Sequence, residues 1–385
     1  MRIAIVGGAL RGMEAAYLAK KAGYETIVID KRSDAPAFSL ADNSFILDPE
    51  THETYAMKIF KDCDAVLPAC ENLSLLAELD DMLRYSGIPL LFDMGAYLIS
   101  SSKNASNGMM ELMNIPMPKK WQHCGFPIIV KPSSHSGSTG VTVAKNQKEI
   151  DEGLEEILRL GDEPVIQEFV HGKNVSTEVI GNGSEFRSFV VSEMIPGEDY
   201  SCKRVICHPG VLDKEDEDDL SAMAELIAER LDLNALMAVQ AMNTEKGLKV
   251  LEIDARIPSQ TPSAVLAATG INLLEELVKS RLGGTIRKGK NGASSYEHFL
   301  VKDGKLMTCS EKEFAEIRNP EIVRGLFGAD EMISDFQKDA DTWRCAMINS
   351  AGSEWELERK RARCIESIIN ECGIDEFIDT FPKRV

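Results

Sequence analysis

The sequence predicts an α/β protein of several domains, and three stretches carry that prediction. Residues 2–29 read as strand, glycine-rich turn, helix and second strand, the βαβ opening of a parallel sheet. Residues 126–143 read as a strand, a loop rich in Ser, Gly and Thr, and another strand. Residues 240–262 (QAMNTEKGLKVLEIDARIPSQTP) read as a hairpin with two carboxylates near its end. The chain has 385 residues, enough for about two or three domains.

Composition narrows the class. The chain is 44% hydrophobic and 27% charged, which suits a soluble globular protein with a sizeable core. No apolar run is long enough to span a bilayer, and the N-terminus reads as a strand rather than a signal peptide. A formal net charge of -19 argues against nucleic-acid and anionic-membrane partners. The nine cysteines form no C-x-x-C pair and read as free thiols of a reducing cytoplasm. Cys202, Cys207 and His208 match no common zinc spacing. A homo-oligomer is compatible with all of this.

In chain order, residues 2–6 (RIAIV) form a buried strand, GGALRG a turn, residues 13–22 a helix and residues 25–29 a second strand ending in Asp30. The turn is either an anion site at a helix N-terminus or a place where strand and helix pack closely. Gly7, Gly8 and Gly12 miss the G-x-G-x-x-G register, which disfavours a dinucleotide-dependent dehydrogenase. Residues 64–68 form another strand, and Glu71 follows it. Glu71 reads either as a ligand for a substrate ammonium or as a helix-start carboxylate favoured by the dipole, while Arg11 is a candidate carboxylate ligand. A strand at residues 89–92 closes the first domain. Residues 96–113 read as one helix, and IPMP at 115–118 breaks it.

Strand residues 126–131 deliver Lys131 to PSSHSGSTG, a loop whose bare N–H groups and hydroxyls suit phosphates, with a flexible hairpin tip as the alternative. The loop lacks the P-loop pattern. Residues 150–160 read as an amphipathic acidic helix, and residues 165–170 as an apolar run interrupted by Gln167 and Glu168. In the strand at residues 175–180, Ser176 and Glu178 share a face. A second strand returns over residues 185–195. The charge run 213–219 reads as a solvated helix start before a helix at 220–231. In the hairpin, alternation puts Glu252 and Asp254 on one face, with Gln240 reaching it from the partner strand. Hard oxygen ligands of this kind suit Mg²⁺ shared with phosphates; a charged strand end at the surface is the plainer reading. Residues 270–282 read as a helix and 283–292 as a linker. The remainder makes a smaller piece with strands near 296–301 and 344–349 and a helix near 355–372.

Taken together, IVGGALRG, a lysine at position 103, Lys131 with its Ser/Gly loop, QEFV and LEIDAR resemble the ATP-grasp superfamily of carboxylate–amine ligases. AVLPACENL and LKVLEIDARIPSQTP resemble most closely the family of pyrrolysine-biosynthesis ligases, which join 3-methyl-D-ornithine to L-lysine. The resemblance implies an ATP-grasp fold with a doubly wound N-terminal domain (1–95), a two-part ATP-gripping domain (96–285) and a small α+β C-terminal domain (286–385). It implies ATP and two Mg²⁺ ions as cofactors. Lys103 and Lys131 would hold phosphate oxygens, residues 133–140 would close over them with Ser138 in contact, and Gln167, Glu168, Phe169 and Val170 would flank adenine. Gln240, Glu252 and Asp254 would ligate the metals, and Arg256 with Lys131 would stabilise the transferring phosphoryl group. Ser176, Thr177, Glu178, Pro258, Ser259, Gln260 and Thr261 would hold the ornithine-like donor. Leu10, Arg11 and Glu71 would hold L-lysine. Gln240 and Asn174 stand where many relatives carry carboxylates. The rival readings are a ligase of another amino-acid pair and a nucleotide-binding scaffold without catalysis.

Overall fold

The computed structural model describes residues 1–198, 200–283 and 289–380. Its first sheet uses β1 (Arg2–Val6), with α1 (Leu10–Lys21) crossing to β2 (Glu25–Asp30). β3 (Asn43–Ile46), α2 (Glu53–Phe60), β4 (Ala65–Pro68) and α3 (Leu73–Leu83) complete it. The four strands are parallel, in the order β3-β2-β1-β4. β4 and β1 from Ile3 onward are apolar and buried, as strands of a parallel sheet covered on both faces are. The expected strand at 89–92 is reduced to one bridge between Val66 and Leu90; Pro89 has no N–H to extend a ladder.

The glycine-rich turn is a packing device. Gly7 has φ +105, and a Cβ on Gly12 would lie 1.9 Å from the Gly7 carbonyl oxygen. The Gly8 N–H donates to Asp30 Oδ2 at 2.7 Å, and Arg32 clasps the same carboxylate at 3.0 and 2.9 Å. The chain's own carboxylate therefore fills the anion position, which removes the footing of a dinucleotide reading.

α4 (Met94–Ser100) and α5 (Lys103–Leu112) replace the single helix expected at 96–113. The break falls where Ser102 caps α5, accepting from the Ala105 N–H. Next comes a small jaw of β5 (Ile128–Pro132), β6 (Thr142–Ala144), α6 (Gln147–Arg159) and β7 (Pro164–Glu168), with antiparallel order β6-β5-β7. α6 buries Ile150, Gly153 and Ile157, one helical stripe, against Ile128 and Val130.

The large sheet begins with β8 (Lys173–Gly181), β9 (Phe186–Ser188), β10 (Ser192–Pro196) and β11 (Cys202–Cys207). The return expected as one strand over 185–195 is thus split in two. α7 (Lys214–Arg230) takes in most of the acidic run. Asp213 caps it and Glu215, Asp216 and Glu217 fill its first turn, where the helix dipole favours them. β12 (Leu236–Thr244) and β13 (Gly247–Asp254) form the hairpin. α8 (Thr261–Thr269) starts within the stretch named for the donor and ends at Gly270, φ +74; α9 (Leu273–Leu282), after its cap Asn272, is the helix expected at 270–282. Residues 284–288 of the expected linker lie outside the described residues.

The C-terminal piece holds β14 (Ala293–Lys302), β15 (Lys305–Thr308), α10 (Glu311–Phe314), β16 (Glu321–Arg324), β17 (Glu331–Ser334), β18 (Thr342–Ala351), α11 (Glu354–Cys372) and β19 (Glu376–Ile378). β14 pairs with β11, Arg204 opposite Glu297, so one twelve-stranded sheet runs from the hairpin into the C-terminal piece. Met13 and Leu18 of α1 share a core with Val265 of α8, Leu274 of α9 and Tyr296 of β14, which ties the first sheet to the last. All nine cysteines are free. No helix among the described residues is long and apolar enough to cross a membrane.

We expect Gly12→Ala to lower stability by about 2 kcal/mol or more, because a methyl group has no room against the Gly7 carbonyl. Urea denaturation measures this; an unchanged midpoint would mean that the turn relaxes freely.

Candidate active site

The large sheet, the small jaw and the first sheet enclose a cavity of about 1080 Å³. Lys103 and Lys131 reach it from the α5 and β5 sides. Lys103 opens α5, and its Nζ donates to the His135 carbonyl at 2.8 Å and lies 3.4 Å from Glu252 Oε2. Lys131, on β5, is 8% exposed. Burial presses its ammonium toward the neutral form and Glu252 opposes this, leaving it at about 8.

The hairpin presents the oxygen ligands. Gln240 pairs with Glu252 and Ala238 with Asp254, with a bulge after Gln240. All three predicted metal ligands line the cavity. Burial works against charge on Glu252, but Lys103 and Lys131 prevail and hold its proton affinity below normal. Burial raises that of Asp254, with Arg256 opposing. Among the described residues no three His, Cys, Asp or Glu side chains converge as a metal cage. Two carboxylates and an amide oxygen fit a hard cation that takes its remaining ligands from phosphate and water, as Mg²⁺ does.

A chain of alternating charge continues from there. Arg256 Nη1 lies 2.6 Å from Asp254 Oδ2, and its Nη2 pairs with Glu71. Glu71 also accepts from Arg11 Nη2 at 2.7 Å and from Ser136 Oγ at 2.9 Å. Burial of Glu71 favours protonation, yet Arg256 and Arg11 outweigh it and hold the group at about 2. Glu71 is thus already engaged and is not among the lining residues, while Arg11 is.

The loop at 133–140 covers one side of the cavity. Ser134 and His135 are pinned to Asp162, at 2.8 Å from Ser134 Oγ and 2.7 Å from His135 Nδ1. Ser138, at φ +58, donates to the Tyr200 carbonyl at 2.9 Å across the cleft. Gln167, Glu168, Phe169 and Val170 also line the cavity. The Glu168 carboxylate accepts from Lys249 at 2.6 Å and from the Lys119 N–H at 3.1 Å, so its side chain is satisfied within the protein.

Of the predicted donor-binding set, Ser176, Pro258, Ser259 and Thr261 line the cavity. Thr177 points through the other face of β8, where its hydroxyl donates to the Phe189 carbonyl at 2.8 Å. Glu178 is fully buried behind Ser176, which donates to it at 3.4 Å; its Oε2 has no hydrogen-bond partner. Burial raises its proton affinity to about 7, against hydrogen bonding from Thr261 and Ser176. Gln260 is buried beneath the wall, and Leu10 packs into the core of the first sheet. Sequence reasoning missed Tyr200, Glu311 and Lys312, which also line the cavity. The only legible signal near Glu311 was the S-x-x-E capping box of Ser310 and Glu313, which marks a helix start and not a site.

Residues 3–91 match the family model described as a PylC-like N-terminal domain, and residues 101–260 one described as an ATP-grasp domain. The chain is 36% identical over 317 residues to the 3-methyl-D-ornithine–L-lysine ligase of Methanosarcina barkeri, covering 80% of this chain and 83% of that protein. Among solved structures it is similar to biotin carboxylase from Campylobacter jejuni, with TM-score 0.75 and 15% identity over 95% of this chain and 91% of the other. N5-carboxyaminoimidazole synthetase from Staphylococcus aureus gives TM-score 0.71 and 18% identity, over 94% and 96%. The fold is therefore ATP-grasp, preceded by a PylC-like N-terminal domain.

Lys131 gives the cavity a pH signature. A polyanion placed against it favours the ammonium form, so nucleotide binding near pH 8 is expected to take up protons. Affinity is expected to fall as pH rises through 8, since the free protein then holds a neutral lysine. Calorimetry in buffers of different ionisation heat checks both. Lys131→Arg is expected to bind without the proton uptake, and equal uptake in that variant would assign the titration elsewhere.

Proposed function

The chain belongs to the PylC-like family of ATP-grasp ligases, and on that premise we propose that it joins the carboxyl group of 3-methyl-D-ornithine to the ε-amine of L-lysine in pyrrolysine biosynthesis. As an ATP-dependent carboxylate–amine ligase it forms a C–N bond. The observation that carries the finer reading is a single cavity lined both by Lys103, Lys131 and the hairpin oxygens, a set suited to phosphate and metal, and by Arg11, Ser176, Pro258, Ser259 and Thr261, a set suited to an amino acid. The identity across four-fifths of the chain to a ligase named for these substrates supports the same assignment.

In this reading residues 1–95 form the N-terminal unit, 96–285 the two parts that grip ATP, and 286–385 the C-terminal part. Gln240, Glu252 and Asp254 would hold two Mg²⁺ ions, which when bound neutralise phosphate charge. Lys103 and Lys131 bind phosphate oxygens, and residues 133–140 exclude water above them. A donor carboxylate oxygen attacks the γ-phosphorus, the bond to the bridging oxygen of ADP breaks, and ADP leaves with the electron pair. Arg256, already beside Asp254, balances charge on the transferring group. The resulting acyl phosphate is a far better electrophile than a carboxylate. The ε-nitrogen of lysine then attacks the acyl carbon, the C–O bond breaks and phosphate departs.

The attacking nitrogen must first lose a proton. Glu71, held at about 2, is too weak a base. Glu178, pushed by burial up to about 7 and accepting from the cavity-lining Ser176, is the stronger base, so the proton is expected to pass to it through the serine hydroxyl.

Purified protein with Mg-ATP, L-lysine and D-ornithine is expected to release ADP and to yield an ornithyl-lysine mass only when both amino acids are present. ADP release without that product, even with the methylated donor, would overturn the substrate pair while retaining the ligase. Glu252→Ala is expected to reduce turnover at least about a hundredfold with the fold intact; normal turnover at saturating Mg²⁺ would remove Glu252 from the metal site.

A further inference from the structure

We propose that Glu311, contributed by the C-terminal part, binds an ammonium group of an amino-acid substrate and so takes part in selecting it. The proposal rests on the ligase reading above. Glu311 opens α10 and lines the cavity beside Ser259, Thr261 and Arg11. Its carboxylate accepts from Ser259 Oγ at 3.3 Å and from Gln260 Nε2 at 2.5 Å, both neutral donors. Among the described residues no cation forms an ion pair with it. Arg11 and Arg256 lie near enough to favour its charge, but both are paired with Glu71. Burial dominates and raises its proton affinity. A carboxylate on a cavity wall with only neutral partners is under-compensated, and a ligand ammonium is the group that completes it.

Gln260 supplies a second, independent observation. It is 1% exposed and held at φ +69, a conformation that costs a non-glycine residue energy. Its N–H donates to the buried Glu14 of α1 and its Nε2 to Glu311, so two distant parts of the chain hold it in place. Glu14 is itself fixed by the Tyr296 hydroxyl at 2.6 Å. In this orientation Gln260 Oε1 is buried with no hydrogen-bond partner. Unsatisfied buried acceptors are uncommon and costly. An ammonium brings its donors to a wall that offers the Glu311 carboxylate, which Gln260 behind the wall holds in place.

The ammonium could be the α-amine of lysine or either amine of the ornithine-like donor, and substrate analogues separate the three. Full-length wild type, Glu311→Gln and Glu311→Asp are compared in steady-state ligation. We expect Glu311→Gln to raise KM for one amino acid roughly tenfold or more while KM for ATP stays unchanged, and Glu311→Asp to recover part of the loss. 6-Aminohexanoate lacks the lysine α-amine, 5-aminopentanoate the ornithine α-amine and D-norvaline the δ-amine. The analogue without the bound amine is expected to be poor with wild type and to lose nothing further in Glu311→Gln, whereas the others lose the same factor again. Unchanged KM for both amino acids, or an equal further loss with all three analogues, overturns the proposal. If wild type accepts another amino-acid pair instead, the substrate assignment fails alone, and the same comparison on that pair tests Glu311. Absence of ADP release with any amino acid overturns both.

Discussion

Opposite charges alternate through the cleft, from Lys131 and Lys103 through Glu252, and from Asp254 through Arg256 and Glu71 to Arg11. The rest of the site depends on that alternation. A buried charge without a partner costs several kcal/mol, so each member holds its neighbours to their positions. The members come from five places in the chain: α1, the end of β4, α5, β5 and the hairpin. Electrostatic pairing therefore couples the first sheet to the jaw and the large sheet.

The covering loop belongs to the same network. Ser136 is tied to Glu71 in the N-terminal unit, and Ser138 to the Tyr200 carbonyl opposite. Its position is thereby tied to the same carboxylate that the two arginines hold. Behind another part of the cavity wall more distant pieces meet. Glu14 from the first helix, Gln260 from the start of α8 and Glu311 from the C-terminal part meet through hydrogen bonds. The C-terminal strands contribute to this meeting point: β14 carries Tyr296, which fixes Glu14, and the chain after β15 carries Glu311.

Much of the site could be read from local rules. Glu252 and Asp254 share a face because side chains alternate along a strand, and Gln240 faces Glu252 because the hairpin pairs them. The same rule places Ser176 and Glu178 together and sends Thr177 to the opposite face. Element ends were less legible. The break between α4 and α5 rests on one serine cap, and the start of α8 follows a glutamine in a conformation that no local preference favours. Glu311 had only its neighbourhood in a capping box, since nothing near it in the chain says what it meets in space.

The sequence by itself determined the α/β character, the placing of the lysine-bearing strand and loop, the gathering of Gln240, Glu252 and Asp254 on one face of the hairpin, and the family. Each of these follows from periodicity, turn chemistry or motif, which act over a few residues. Only the tertiary structure decided which charges pair, that Glu71 is committed to two arginines, that Glu178 is buried behind Ser176, and that Glu311 reaches the cleft. Those outcomes depend on burial and on contacts between residues up to hundreds of positions apart, and desolvation is a property of the assembled fold rather than of any segment of it.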